Sequence, residues 1–367
     1  MGYNILGINL SHNSSVCILS DGEISYFLEE ERLSKSKSEE IPLHSLANTL
    51  PSLPISEIVI SGLSGYYNNL YYLKSINFLL KKFYPEIPIN TKFINHHHSC
   101  HSAISFYNSG FKNCLSVVID GNGDFSKENH KEKFKGFETE TITTLKYPFN
   151  SQRVYKSYLT DVLNKTSYNT IFSTKASLTK IYEGVTRYLG FTGLSEAGKT
   201  MGLSSYGKSN DSIPSLYLNS KGNPDIIEND YKSANLKLPP NSKDWHKDSS
   251  KITDFEKDLS YKVQQESQQE VGNLIEKGLK ETGLKQVCCA GGYFLNCVAN
   301  YYLTKRFPDV EFYFEPISSD AGNAIGVAKL AWHKKTQDIN IRPQKTIYYG
   351  PKYTKEELLK GIQKYLD

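Results

Sequence analysis

The sequence predicts an α/β fold made of two related lobes. Short β-type segments alternate with helical segments along the 367 residues, and this mixture predicts sheets that are covered by helices. The pattern of strand, small polar loop and strand that opens the chain returns near residue 115, which predicts two units on one plan. The length provides room for about two such units.

The first lobe is predicted to begin with three strands over residues 4–29. Ile5–Asn9 and Val16–Leu19 are apolar and flank a polar turn, and Asp21-Gly22 is a hairpin signal before the next β-type segment. Three helices and two strands are predicted to follow. They are a helix from Pro42 to Thr49, a strand at Ile58–Ser61, a helix at Leu70–Phe83, a strand at Lys92–Asn95 and a helix at His97–Tyr107.

The second lobe is predicted to restart with a strand at Leu115–Asp120, a glycine-rich turn and β-type sequence near Thr139–Leu145. Residues 207–250 are polar and without periodicity, so we expect a long surface excursion that holds pocket residues. The remaining predicted elements are helix Lys175–Tyr188, helix Asp254–Thr282, strand Gln286–Ala290, a helix from Asn296, strand Val310–Phe314, helix Ala321–His333 and helix Thr354–Tyr365.

Composition excludes several classes of protein. A formal charge of +4, from 43 basic and 39 acidic residues, argues against a dedicated nucleic-acid binder. The six cysteines contain no C-x-x-C pair, which excludes zinc ribbons and thioredoxin-type motifs and is typical of reduced thiols in the cytoplasm. Neither a signal peptide nor a membrane-spanning run is evident, so we expect a soluble, cytoplasmic protein without a membrane partner.

Four turns rich in small residues are candidates for nucleotide binding. Small residues let backbone N–H groups approach a phosphate closely, although each turn could equally be an ordinary connection. None of them matches a Walker A loop or a G-x-G-x-x-G fingerprint. The turns are Ser11–Ser15, Asp120–Asp124, Gly198–Gly202 and Gly291–Asn296.

A histidine-rich segment begins the predicted helix His97–Tyr107 and indicates a metal site. On a helix His97 and His101 share one face and can hold one ion, with a carboxylate from elsewhere as third ligand. Two alternatives remain open: His98 is the ligand with another partner, or the histidines only cap the helix.

The charged run of residues 29–37 has two interpretations. It is either a solvated face at a sheet edge or a source of Lys35 or Lys37 for an anionic ligand near the first loop.

Six motifs, in this order, resemble the O-carbamoyltransferases that act on nodulation factors, cephem antibiotics and aminoglycosides. The match extends over residues 5–326. The motifs are the opening Ile5–Ser15 with the charged run, His97–His101, Asp120–Asp124, Glu196–Leu203, Ala290–Cys297 and Ser318–Ala324.

The resemblance implies the bilobal actin-like ATPase fold of sugar kinases, heat-shock chaperone ATPases and actin, in the variant of the tRNA threonylcarbamoyl transferase. Residues 1–110 with 321–340 would form the first lobe and residues 111–320 the second. Residues 341–367 would begin a C-terminal domain, and the YrdC-like domain that follows in the family is absent from this sequence.

The resemblance also implies a set of site residues. His97, His101 and Asp320 would bind a divalent metal, commonly iron in relatives, with manganese, magnesium and zinc as alternatives. His12 and Lys37 match positions close to the reacting carbamoyl and phosphate groups, and His12 is our candidate for orienting or deprotonating the acceptor. The positions implied for ATP or carbamoyl-adenylate are Asp120, Gly121, Gly123, Glu183, Gly198, Lys199, Gly291, Gly292 and Asn296.

The family reaction has two steps. Carbamoyl phosphate and ATP give carbamoyl-adenylate on the YrdC-like domain, and the present fold then transfers the carbamoyl group to an acceptor hydroxyl. We therefore expect a hydroxylated acceptor, a separate YrdC-like partner and a possible homodimer. An ATP-dependent kinase of the same superfamily and a non-catalytic nucleotide-binding remnant are the alternatives.

Overall fold

Two mixed sheets form the framework of the molecule. The computed structural model describes residues 2–49, 54–62, 70–94, 96–126, 136–159, 177–191, 193–213, 215–217, 227–228, 252–350 and 353–365. Everything stated below concerns these residues.

The first sheet has the strand order β3-β2-β1-β4-β5 and contains the predicted three-stranded meander. Its central strand β1 runs antiparallel to β2 and parallel to β4, and all seven residues of β1 are buried. Burial on both faces explains why this strand is apolar almost without interruption. The strands are β1 (Asn4–Leu10), β2 (Ser15–Ser20), β3 (Glu23–Glu29), β4 (Glu57–Gly62) and β5 (Ile89–Asn90).

The predicted strand at Lys92–Asn95 is wrong. The last strand of the first sheet lies at Ile89–Asn90, and residues 92–94 form a turn. The side chain of Asn90 accepts a hydrogen bond from the backbone N–H of Lys92 at 3.0 Å, which replaces a ladder bond and turns the chain. The helices of this half are α1 (Glu30–Ser34), α2 (Leu43–Thr49), α3 (Leu70–Phe83) and α4 (His97–Ser109).

The second sheet repeats the plan of the first. Its strand β6 lies between an antiparallel partner, β8, and a parallel partner, β11, as β1 does in the first sheet. The order is β10-β9-β8-β6-β11-β12, with β7 paired to β8. The strands are β6 (Asn113–Ile119), β7 (Phe125–Ser126), β8 (Gly136–Lys146), β9 (Asn150–Leu159), β10 (Ile227–Glu228), β11 (Gln286–Ala290) and β12 (Glu311–Phe314).

Five of the six described helices of the second half were predicted, whereas the predicted turn at Gly198–Gly202 is wrong because these residues lie within helix α6. The longest, α7, starts with a capping box made by Thr253 and Glu256 and ends at Gly283 in a left-handed conformation. Most of the predicted excursion at 207–250 lies outside the described residues. The helices are α5 (Leu178–Tyr188), α6 (Ala197–Ser204), α7 (Asp254–Thr282), α8 (Cys297–Arg306), α9 (Asn323–Thr336) and α10 (Lys355–Gln363).

One buried apolar cluster joins the two sheets through α4 and α9. It combines Ile5 and Cys17 of the first sheet with Cys114 and Cys288 of the second. The approach of α9 to β1 requires Gly7, because an added Cβ there would collide with the carbonyl oxygen of Ala324. Glycine at this position therefore lets α9 pack directly against β1. Among the described helices, none combines the length and apolar character needed to cross a membrane.

Candidate functional site

The loops that carry the predicted motifs follow the carboxyl ends of central strands. Ser11 follows β1, Asp120 follows β6, and Gly291 follows β11. Because β6 and β11 are adjacent and parallel, their ends meet at one edge of the second sheet. Crevices at such edges are the usual ligand sites of α/β sheets.

Four side chains converge in a cluster that we call the ligand cluster: His97, His101, Asp120 and Asp320. The Nε2 atom of His97 lies 3.2 Å from that of His101 and 3.2 Å from Asp120 Oδ2. Asp320 Oδ1 lies 3.4 Å from both Nε2 atoms. All four side chains are buried, and one ligand atom from each lies within 4.8 Å of the others.

The donor set of the ligand cluster fits a divalent metal ion. Two imidazole nitrogens and two carboxylate oxygens suit iron, manganese or zinc. Asp320 Oδ1 is buried without a hydrogen-bond partner. Burial lowers the pKa of His97, but Asp320 and Asp120 outweigh this effect, and the pKa lies well above its usual value. The two carboxylates thus draw positive charge into the cluster.

The structure adds Asp120 to the three ligands that the resemblance implies. The sequence analysis assigned Asp120 to the nucleotide alone, since its approach to His97 depends on distant parts of the chain. The sequence feature that could have suggested this role for Asp120 is an aspartate directly after an apolar strand.

Further residues that the sequence analysis did not identify support the cluster. Ser11 Oγ donates to Asp320 Oδ2 at 2.9 Å, and Asp124 Oδ2 accepts from the backbone N–H of His97 at 2.7 Å. The Asn323 amide lies 3.3 Å from His97 Nδ1 and from His101 Nε2. Such outer contacts orient the ligands of metal sites.

Asp120 also links the cluster to the glycine turn after β11. Its Oδ1 accepts from the backbone N–H of Gly292 at 3.2 Å. Gly291 has φ 98°, and an added Cβ would collide with the carbonyl oxygen of Ile119, so only glycine fits. Asn296 caps α8 through the N–H of Ala299. These contacts place the backbone of the glycine turn directly beside the ligand cluster.

The remaining positions implied for the nucleotide lie in the second half. Gly121 and Gly123 follow Asp120 in the loop after β6. The backbone N–H of Gly123 donates to the carbonyl oxygen of Glu138. Glu183 on α5 is engaged by Lys180 and Arg187 through both carboxylate oxygens. Those ion pairs lower its pKa, although burial opposes the effect.

Gly198 and Lys199 lie on the exposed side of α6. An added Cβ at Gly198 would meet no atom within 4 Å, and Lys199 pairs with Glu196. Within the described residues, no hydrogen bond or ion pair connects α6 to the ligand cluster.

The two predicted catalytic residues differ in their positions. His12 Nε2 lies 3.5 Å from Asp320 Oδ2, with 44% of the side chain exposed. The charge of Asp320 raises the pKa of His12, although burial opposes it. Lys37 lies in an exposed turn, and among the described residues it has no recorded ion-pair partner.

His98 does not join the ligand cluster. Its Nδ1 lies 2.7 Å from Thr141 Oγ1, and burial lowers its pKa to about 3. His98 therefore lies outside the ligand cluster, and the alternative in which it is the ligand with another partner stays a prediction. The charged run is also not a simple solvated face, because buried Glu30 accepts hydrogen bonds from the backbone N–H groups of His44 and Ser45 at the start of α2.

The chain is similar to several curated proteins. It is 28% identical over 302 residues to an uncharacterized protein of Methanocaldococcus jannaschii, covering 81% of this chain and 47% of that protein. It is 24% identical over 366 residues to the nodulation protein NolNO of Sinorhizobium fredii, covering 93% of this chain and 49% of that protein. The chain thus spans about half the length of these relatives.

Solved structures share the fold at low sequence identity. HypF from T. kodakarensis aligns with a TM-score of 0.55 and 11% identity, over 90% of this chain and 47% of that one. A full-length HypF, solved in a phosphate- and nucleotide-bound form, aligns with a TM-score of 0.53 and 13% identity, over 90% of this chain and 55% of that one. The fold is the actin-like ATPase fold. The model of the carbamoyltransferase N-terminus matches residues 58–329, more than half of the chain, and the chain therefore belongs to the carbamoyltransferase family.

Proposed function

We propose that this chain transfers a carbamoyl group from carbamoyl-adenylate to a hydroxyl group of a small molecule, sugar or nucleoside, with release of AMP. The observation that carries the proposal is the double contact of Asp120. One oxygen lies in the ligand cluster, and the other accepts from the Gly292 N–H at 3.2 Å. This contact joins the ligand cluster to the glycine turn, and a cation held in the cluster would attract a phosphate bound beside that turn.

The chemical step needs a bound adenylate, an oriented acceptor and a base. The acceptor oxygen attacks the carbamoyl carbon, and the bond from that carbon to the phosphate oxygen of AMP breaks. The hydroxyl proton passes to a base, for which His12 is the candidate beside Asp320. The Gly291–Asn296 turn would lie against the AMP phosphate, since glycine at position 291 lets the backbone approach closely.

The ligand cluster would hold a divalent metal, and iron is our first choice. Such an ion, when bound, supplies Lewis-acid stabilisation of phosphate oxygens. The protein fixes the ligands through the hydrogen bonds of Ser11 and Asn323.

We also propose that a YrdC-like protein or domain outside this sequence supplies the carbamoyl-adenylate. The support is the length of the curated relatives, of which this chain spans about half. The test combines this chain with such an adenylate-forming enzyme and compares the transfer rate with that of either component alone.

The main experiment supplies carbamoyl-adenylate, generated in the assay, with a panel of hydroxylated acceptors. Mass spectrometry should detect a carbamoylated acceptor together with an equal amount of AMP. Asp320→Ala should abolish both products, whereas His96→Ala, which changes an exposed neighbouring histidine, should not. Formation of ADP and a phosphorylated acceptor from ATP would favour the kinase. Binding of neither metal nor nucleotide would favour the non-catalytic remnant.

A further inference from the structure

The loop between β1 and β2 places Asn13 in an unusual conformation between two functional groups. Its φ is 62°, a left-handed backbone that asparagine tolerates better than most residues. Its side-chain Oδ1 lies 2.9 Å from His12 Nδ1, and its Nδ2 lies 3.3 Å from Glu31 Oε2. Asn13 therefore connects the candidate base to the charged run of residues 29–37.

Glu31 determines which way the Asn13 amide points. Its Oε2 also accepts from the backbone N–H of Ser38 at 3.4 Å, and its Oε1 lies 3.4 Å from the Arg32 guanidinium. A carboxylate with these neighbours acts as an acceptor, so it takes a hydrogen from the Nδ2 of Asn13. The flipped amide would set two oxygens against each other, and Oδ1 must therefore face His12.

The orientation of the amide determines the tautomer of His12. Because Oδ1 can only accept, the facing Nδ1 must carry a hydrogen. A neutral imidazole then has its free electron pair on Nε2, the atom that lies 3.5 Å from Asp320 Oδ2 on the side of the ligand cluster. The same pairing of a ring N–H with a fixed acceptor sets the tautomer of catalytic histidines in general.

We propose that Asn13, held by Glu31, is a positioning residue that fixes His12 with its proton on Nδ1 and its basic Nε2 toward the reacting groups. The role in transfer rests on the proposed function, whereas the tautomer itself does not. In the transfer step, the proton of the acceptor hydroxyl would pass to Nε2 while the acceptor oxygen bonds to the carbamoyl carbon and AMP leaves.

Nuclear magnetic resonance tests the tautomer without any activity. The full chain is labelled with ¹⁵N-histidine, loaded with diamagnetic Zn²⁺, and measured at a pH where His12 is neutral, with His12→Gln to assign the signal. Wild type should show a protonated Nδ1. Asn13→Gly keeps the left-handed backbone but removes the amide, so His12 should shift toward the Nε2–H form that free histidine prefers. The double variant Asn13→Asp with Glu31→Gln retains the acceptor toward His12 and a donor–acceptor pair at position 31, and it should keep the wild-type tautomer.

Two spectral results would overturn the proposal: a protonated Nε2 as the main form in wild type, or an unchanged tautomer in Asn13→Gly. Kinetics then test the role in transfer. Asn13→Gly should lower kcat at least about 10-fold with KM and metal content unchanged, and Asn13→Asp with Glu31→Gln should restore most of the rate. An unchanged kcat in Asn13→Gly would contradict that role. Absence of transfer in wild type, beside the expected spectra, would count against the proposed function and leave the positioning of His12 intact.

Discussion

Helices α4 and α9 carry two buried polar clusters, one near each end of α4. The ligand cluster uses His97 and His101 at the start of α4 and Asp320 just before α9. The second cluster, which we call the balanced cluster, consists of Asn108 near the end of α4, Lys329 within α9, and Glu315 after β12.

The balanced cluster pairs its polar groups with one another. Asn108 donates to Glu315 Oε2 at 3.0 Å and accepts from Lys329 Nζ at 2.7 Å, so one amide joins the carboxyl and the amine. The other oxygen, Glu315 Oε1, accepts from the backbone N–H of Ile317 at 3.0 Å.

The ligand cluster lacks such internal balance. Two carboxylates face two imidazoles whose Nε2 atoms point toward each other. Both clusters are buried, so burial does not distinguish them. Their composition does: the side chains present determine whether a buried cluster can hold a cation or only stabilises the fold.

The sharpest test of this comparison removes a member of the ligand cluster. His101→Ala should abolish metal binding and reduce carbamoyl transfer by more than about 100-fold, since even outer contacts of metal sites reach that value. Metal content by mass spectrometry and the transfer rate are measured together. The exposed neighbour His96 provides the control, and His96→Ala should retain its metal. Full metal occupancy in His101→Ala would contradict the site.

The second test breaks the balanced cluster. Lys329→Met removes the positive charge near Glu315 and leaves the Asn108 oxygen without its donor, so it should lower the free energy of unfolding by about 1–3 kcal/mol. Metal affinity should stay unchanged. The double variant Glu315→Leu with Lys329→Met should recover much of the loss, because it removes the charge that was left unpaired. Urea unfolding measures all three proteins, and a single variant as stable as wild type would exclude the structural role.

The third test uses pH. Burial raises the pKa of Glu315 from 4.5 to about 7. The folded protein therefore binds this proton more tightly than the unfolded chain, and the contribution is fully present below pH 4.5 and is lost as the pH rises through about 7. The shift corresponds to about 3 kcal/mol. Unfolding free energies measured across this window should fall less steeply in Glu315→Gln than in wild type, and equal slopes would contradict the assignment.

The smallest effect is expected at the support of the ligand cluster. Ser11→Ala removes the hydroxyl that donates to Asp320 Oδ2 and should weaken metal binding by about 10- to 100-fold. Calorimetric titration with Zn²⁺ measures the affinity. Ser20→Ala, a change at the far end of β2, is the matched control and should bind like wild type.

Local patterns in the sequence were sufficient for part of this site. The four-residue spacing of His97 and His101 places both on one helix face, and the structure shows that face turned toward Asp320. The bounds of α3 and α7 agree with their predicted ranges, because their apolar periodicity and caps are local signals.

Long-range contacts account for what the sequence analysis did not find. Asp120 meets His97 only because the end of β6 packs beside the start of α4. The role of Asn13 depends on a carboxylate 18 positions away, and no spacing rule identifies it. The strand predicted at Lys92–Asn95 was wrong. The backbone N–H of Lys92 donates to the side chain of Asn90 instead of to a neighbouring strand, and the chain turns there.

The order of the ligands along the chain gives the ligand cluster one more property. Its members come from residues 97 to 320, so a bound ion would tie the first half of the chain to the last helix of the core. Such a link closes a long loop and restricts the unfolded chain in the way that a disulfide does. Metal supply would then set the lifetime of the folded protein against proteases, and loss of the ion would mark the chain for degradation as well as inactivate it.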